Sequence, residues 1–318
     1  MKISAKEYCL SSFNRPLFNV LLPFLHSSSL SSNKRIIGLD DMINDYGDIQ
    51  YRIVTRKEEE SKAVILELHV AVTVTCWADV CSDVLLDIKH VFAGHKEVAM
   101  IYDTNSCKAT SLSCILHEGH QFALLVTCSK DTVDSTDNYG YELAKKLSNL
   151  RHLIVASQLR RAMDNVLNSA IPAKSLEKDK GDFDLFPMTS SLGRANIVKS
   201  AERVTVEFDL HYTDESDRAI ARIFMKEMAE ACRNCEYKKE CVPPNIKGEH
   251  LSNSAGTILF HFPLNLSREP DRRESVIEIV IMFPYSLQYQ VKSTKTSLRQ
   301  RIREKEKDFL SYLNVTGS

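Results

Sequence analysis

The chain has 318 residues, 43% hydrophobic and 26% charged, with a formal net charge of -1. That is room for two domains of ordinary size, with the composition of a soluble globular protein and no apolar run long enough to span a bilayer. With 41 basic against 42 acidic residues, no global field draws the molecule to nucleic acid or to a membrane surface, so a charged partner has to be met by a local patch.

The first 35 residues hold one acid, Glu7, against Lys2, Lys6, Arg15, Lys34 and Arg35, with serines clustered at Ser27-Ser28-Ser29 and Ser31-Ser32. An organelle transit peptide shares these features. The reading adopted is a variable N-terminal extension, residues 1–35, with one short apolar helix over 17–25. Strands are expected at 49–55 and 63–75, the second with Val64, Leu66, Leu68, Val70, Val72 and Val74 in strict alternation. A helix over 79–92 follows, with Val80, Val84, Leu85, Ile88 and Val91 on one side and Gly94 as its stop. Strands at 97–102 and 121–128 come next. One long helix over about 141–167 closes the unit, with Leu143, Leu147, Leu150, Ile154, Met163 and Leu167 at helical spacing.

After Pro172 the chain turns polar through 174–181, which reads as an interdomain linker. The same order then resumes: strands at 195–199 and 203–211, an acidic turn at Thr213-Asp214-Glu215-Ser216, a helix over about 217–232, a strand at 256–262 and a long terminal helix. The expected fold is α+β: two related α/β domains, 36–175 and 176–318, with mainly antiparallel sheets because the links between strands are short. Each domain is closed by a long helix, and the C-terminal one is extended.

That terminal pattern runs from about 274 to 314. At 100° per residue, Val276, Val280, Phe283, Leu287, Val291, Leu298, Ile302, Phe309 and Leu313 fall within an arc of roughly 120°. Lys292, Lys295, Arg299 and Arg303 lie together on one flank. Periodicity alone leaves two readings open, an ordinary core helix with a solvated charged side and a seam for a partner. Length favours the second, because the pattern far exceeds the mean helix of about 11–12 residues. Pro284, lacking an amide hydrogen, is expected to kink the helix.

Little in the chain suggests catalysis. No phosphate-cradling glycine loop, GxSxG elbow or HExxH pair is present. The nine cysteines, several in apolar stretches as at Cys76, Cys81, Cys114 and Cys128, suit reduced thiols in a cytosolic protein. Cys232, Cys235, Cys241 and His250 have zinc-ligand chemistry but incomplete spacing, so they read as structural or incidental. His117-Glu118-Gly119-His120 reads as a surface turn rather than a metal or general-base site. The basic flank of the terminal helix lacks interleaved aromatics for base stacking, which counts against nucleic acid.

Several segments, in their order and separation, resemble subunit 2 of the actin-related protein 2/3 complex, the actin filament nucleator. They are Arg203-Val204-Thr205-Val206-Glu207-Phe208, then Ile223-Phe224-Met225-Lys226-Glu227-Met228, Gly256-Thr257-Ile258-Leu259-Phe260 with Pro263, and the stretches 287–295 and 301–314. The resemblance is looser in the first half, best at 119–126 and 152–168, and is nearest to the plant members. It implies a non-enzymatic scaffold subunit with no catalytic residue, cofactor or metal, at the cytoplasmic cytoskeleton and in cell projections. In that family the long helix pairs with that of subunit 4, and the resulting dimer binds the side of a pre-existing filament from which a branch grows. The apolar arc would then meet subunit 4. Lys292, Lys295, Arg301, Arg303 and Lys305 match basic positions of the family helix, and Arg299 joins them on geometry alone. An independent actin- or RNA-binding module using the same flank is the alternative. The sequence departs from the family in its N-terminal extension, an insertion at 105–117, Pro284, and an end at Ser318 where family members commonly carry a further basic tail. The expectation from that last difference is weaker filament affinity or a divergent paralogue.

Overall fold

In a computed structural model, the described residues are 11–25, 38–57, 64–74, 77–102, 116, 118–128, 137–168, 183–186, 188, 192–200, 203–231, 238–242, 253–263 and 269–316. The chain divides into two compact units, one built on Ser11–Arg160 and the other on Arg161–Phe186 and Ser190–Ser318. The expected linker at 174–181 and, apart from Leu116, the insertion at 105–117 lie outside the described residues.

The first unit contains α1 (Arg15–Leu25), β1 (Asp40–Asp45), β2 (Ile49–Lys57), β3 (Val64–Val72), α2 (Trp77–Phe92), β4 (Val98–Ile101), β5 (Phe122–Cys128), α3 (Asp137–Leu147) and the start of α4 (Leu150–Asn168). Its strands form one antiparallel sheet in the order β1-β2-β3-β5-β4. The alternation seen in β3 sends Leu66, Leu68 and Val70 into a core shared with Tyr51, Ile53, Leu124, Val84, Ile88, Leu143 and Leu147. The region assigned to the N-terminal extension contributes here too. Asn14 caps α1 by accepting the Leu17 N–H at 2.8 Å. Leu17, Leu21, Phe24 and Leu25 are buried in the same core, each side chain contributing roughly 1.5–3 kcal/mol.

The helix expected over 141–167 is two helices. Asn149 donates its N–H to the Lys146 carbonyl at 3.1 Å and Leu153 donates to Asn149, so one helix tightens and ends as the next begins. Asn14 N–H reaches the Ser148 carbonyl at 3.2 Å. The break is made by these backbone bonds, and the apolar spacing on either side runs across it without a sign.

That break places Arg151 at the start of α4. The β1–β2 turn, Asp45 to Asp48, has positive φ at both Tyr46 (54°) and Gly47 (78°), a conformation whose twist suits a hairpin. Arg151 Nη2 and Nε sit 2.7 and 3.0 Å from Asp48 Oδ2, both residues fully buried. The guanidinium also stands 4.9 Å from the centre of the Tyr46 ring. Burial pushes the nearby Asp45 carboxyl above its ordinary range, with Arg151 opposing.

The second unit repeats the plan with β6 (Phe183–Leu185), β7 (Gly193–Lys199), β8 (Arg203–His211), α5 (Glu215–Ala231), β9 (Lys238–Val242), β10 (Ser254–Pro263) and α6 (Pro270–Thr316). Its antiparallel sheet runs β6-β7-β8-β10-β9, the same order as in the first unit. The fold is therefore α+β, with two related antiparallel sheets and a long C-terminal helix. Gly193, at φ +126°, sits where an added Cβ would lie 2.0 Å from the Asp209 carbonyl oxygen, so only glycine allows β7 this close to β8. Phe208, Phe260 and Phe283 form an aromatic core with ring centroids 5.0–5.8 Å apart.

Candidate partner-binding surface

The terminal helix α6 spans 47 residues, about 70 Å at 1.5 Å per residue. Pro270 occupies its first turn, where the missing amide hydrogen costs nothing. Arg273 Nη1 lies 2.6 Å from Asp164 Oδ1 of α4, tying this end to the chain before the second sheet. Pro284 does not end the helix, which continues through it.

The apolar stripe is divided by the fold. Val276, Val280, Phe283, Leu287 and Val291 are buried, none more than 7% exposed. These five are core of this chain and are not surface for a partner, which corrects their expected place in a subunit seam. From Val280 to Leu287 every side chain is buried, as befits a helix apolar on most sides. Beyond Val291 the situation reverses. Leu298 is 46% exposed, Ile302 65% and Leu310 52%. The Phe309 and Leu313 side chains lie outside the described residues. From Thr296 to Ser311 every described side chain is exposed.

The basic residues divide too. Lys292, Arg299, Arg301, Arg303 and Lys305 are exposed, and none makes an ion pair with another described residue. Lys295 Nζ instead lies 2.9 Å from Asp214 Oδ1 and 2.7 Å from Asp217 Oδ1, its side chain only 17% exposed. The sequence reading grouped Lys295 with its neighbours on helical angle and took Asp214 only as part of a turn. The available signal was that Asp214 precedes α5 as its cap, accepting the Asp217 N–H at 3.0 Å. Between Lys292 and Asp308 the helix carries seven basic residues against Glu304, Glu306 and Asp308, so the uncovered half is locally cationic within a nearly neutral chain.

An uncovered helix of this kind obtains little stability from its own turns, because most helical stability in proteins comes from burying an apolar face. Leu298 and Ile302, one turn apart and both exposed, form the apolar side of this segment.

Among the described residues no group of three or more His, Cys, Asp or Glu is arranged to hold a metal. Cys232, Cys235, His250 and His117 lie outside the described residues. Cys241 sits in β9, in register with Ile258. Glu118 is exposed in the turn before β5, and the His120 ring stands edge-on to His69 at 5.9 Å. No described helix is long and apolar enough to cross a membrane.

The profile of the family described as "Arp2/3 complex, 34 kD subunit p34-Arc" matches residues 84–316, from within α2 to the last residue of α6. The chain belongs to the p34-Arc family. Among its relatives is the protein named "Actin-related protein 2/3 complex subunit 2" of Schizosaccharomyces pombe, strain 972 / ATCC 24843. It is 22% identical over 314 residues, covering 89% of this chain and 87% of that protein. The p34-Arc match takes in part of the first sheet, all of the second and the whole uncovered half of α6.

Proposed function

We propose that this chain is a non-catalytic scaffold subunit of the actin-related protein 2/3 complex, pairing with subunit 4 and touching the side of the mother filament as branched networks are nucleated. The observation that carries this reading is α6 itself: a helix whose first half is core, whose second half is bare, amphipathic and cationic, and whose full length falls within the family match. Leu298 and Ile302, with Phe309 and Leu313 continuing the stripe in sequence, supply the contact with subunit 4. Lys292, Arg299, Arg301, Arg303 and Lys305 face actin. Actin filaments are acidic, so these cations steer association and make binding salt-sensitive. The site of action on this reading is the cytoplasmic cytoskeleton, including cell projections, and neither cofactor nor metal takes part.

Copurification tests it. Tagged protein should bring down subunit 4 and the two actin-related subunits, and recovery of none of them would end the proposal. The alternative, an independent actin- or RNA-binding module, keeps the cationic flank but has no use for the exposed Leu298 and Ile302. It predicts that tagged protein binds filaments or RNA but is recovered without subunit 4, whether or not aspartate replaces these two residues.

A further inference from the structure

Five of the six basic residues grouped on α6 point into solvent, and the sixth is held by this chain. Lys295 follows Val291, the last fully buried apolar residue of α6, by one turn on the same face. After it the described side chains of α6 are uncovered. Its two partners are fixed in advance. Asp214 caps α5, accepting the Asp217 N–H and the Ser216 hydroxyl. Asp217 lies three residues on, so both carboxylates share one face at the positive end of the helix dipole, where negative charge is favoured. The contacts of 2.9 and 2.7 Å place one ammonium between two carboxylates, and α5 packs along α6.

We propose that Lys295, Asp214 and Asp217 form a clasp that aims the uncovered half of α6, making Lys295 a positioning residue and not a filament contact. The clasp rests on the reading that this half is a binding surface only for its consequence, not for its existence. The ammonium gives α6 one lateral restraint at the point where core packing stops, and without it the bare segment bends and frays from Val291 onward. The charge states fit this geometry. The Ser216 hydroxyl and then Lys295 hold the Asp214 carboxyl well below the usual carboxylate range, and Asp217 and then Asp214 raise Lys295.

Two substitutions give the clasp and a filament contact opposite outcomes. Asp217→Asn removes a negative charge beside Lys295 and keeps the Asp214 cap. If Lys295 touched an acidic filament, this change would free the lysine and tighten binding. Under the clasp it loosens the helix and weakens binding. Lys295→Met removes the cation at nearly the same length, and Lys295→Arg preserves it. The experiment is amide hydrogen exchange on the full chain, followed by cosedimentation with filaments. Both loss variants should speed exchange over residues 292–300 by about two- to fivefold, the range for a surface ion-pair network, with residues 276–291 unchanged and Lys295→Arg close to wild type. Filament affinity should fall by a similar factor in both. Unchanged exchange in Lys295→Met, or tighter filament binding by Asp217→Asn, overturns the clasp. Wild-type protein that does not sediment with filaments would defeat the functional reading, and the exchange data would still decide the clasp.

Discussion

Replacing Phe283 by alanine separates the buried half of α6 from the bare half. Phe283 is 1% exposed, and its ring lies 5.0 Å from Phe260 and 5.6 Å from Phe208. Truncating a buried phenylalanine costs about 3–5 kcal/mol. The two ring contacts, each worth about 0.5–1.5 kcal/mol beyond area burial, put this site toward the top of that range, near 4–5 kcal/mol. Domains are stable by only about 5–15 kcal/mol, so the loss is a large share. With a urea slope of about 2 kcal/mol/M, the transition carried by the second unit should move down by about 2 M. Ile302→Ala, at a side chain 65% exposed, should stay within about 0.5 kcal/mol, the ordinary range for surface changes. Urea unfolding followed by far-ultraviolet circular dichroism reads both. A Phe283→Ala shift under about 0.5 M, or a comparable shift for Ile302→Ala, would refute the division of the helix.

Two further outcomes test the first unit. Arg151→Met leaves the fully buried Asp48 carboxylate without its guanidinium, and removing one member of such a pair should cost about 3–5 kcal/mol. Adding Asp48→Asn should recover part of that in the same unfolding assay, and no recovery would show that the pair is not the source. His95 Nε2 lies 2.9 Å from Lys146 Nζ and Nδ1 lies 3.0 Å from the Tyr139 hydroxyl, which donates to Glu97. Burial, then Lys146, pushes His95 below its ordinary value of 6.5, with Glu97 opposing. The folded state therefore prefers the neutral ring, so this contribution is complete above pH about 6.5 and fades as pH falls from there toward the depressed folded value. Stability measured across that window should show a smaller slope in His95→Gln than in wild type, and equal slopes would contradict the assignment.

How much of this was legible in the sequence depends on where each element sits. The strand expected at 203–211 is β8 with the same bounds, because a central strand flanked on both sides must carry an apolar alternation that the eye can follow. The strands that escaped notice, Asp40–Asp45, Phe183–Leu185 and Lys238–Val242, lie at sheet edges. One is acidic, one is three residues long and one begins Lys-Lys, so their pairing comes from a neighbour rather than from their own pattern. The apolar arc of α6 was legible as a whole, but its partition at Val291 was not. Val291 and Leu298 occupy the same arc, and only the extent of the sheet and of α5 decides which one is covered. Lys292 and Lys295 pose the same problem, since an ion pair with Asp214 and Asp217 joins positions far apart in sequence.

The central claim is that the bare half of α6 carries two adjacent surfaces, one for subunit 4 and one for the filament. Aspartate at Leu298 and Ile302, set against charge reversal at Lys292, Arg299, Arg301 and Arg303, measures it directly when each variant is assayed for subunit 4 recovery and for filament cosedimentation. The account predicts that the first pair of changes abolishes recovery of subunit 4 and spares the direct filament binding of the free chain. It predicts that the second set weakens sedimentation at least tenfold, about 1.4 kcal/mol, while subunit 4 is recovered in full. Loss of both activities together in either variant, with the fold intact by circular dichroism, would contradict it.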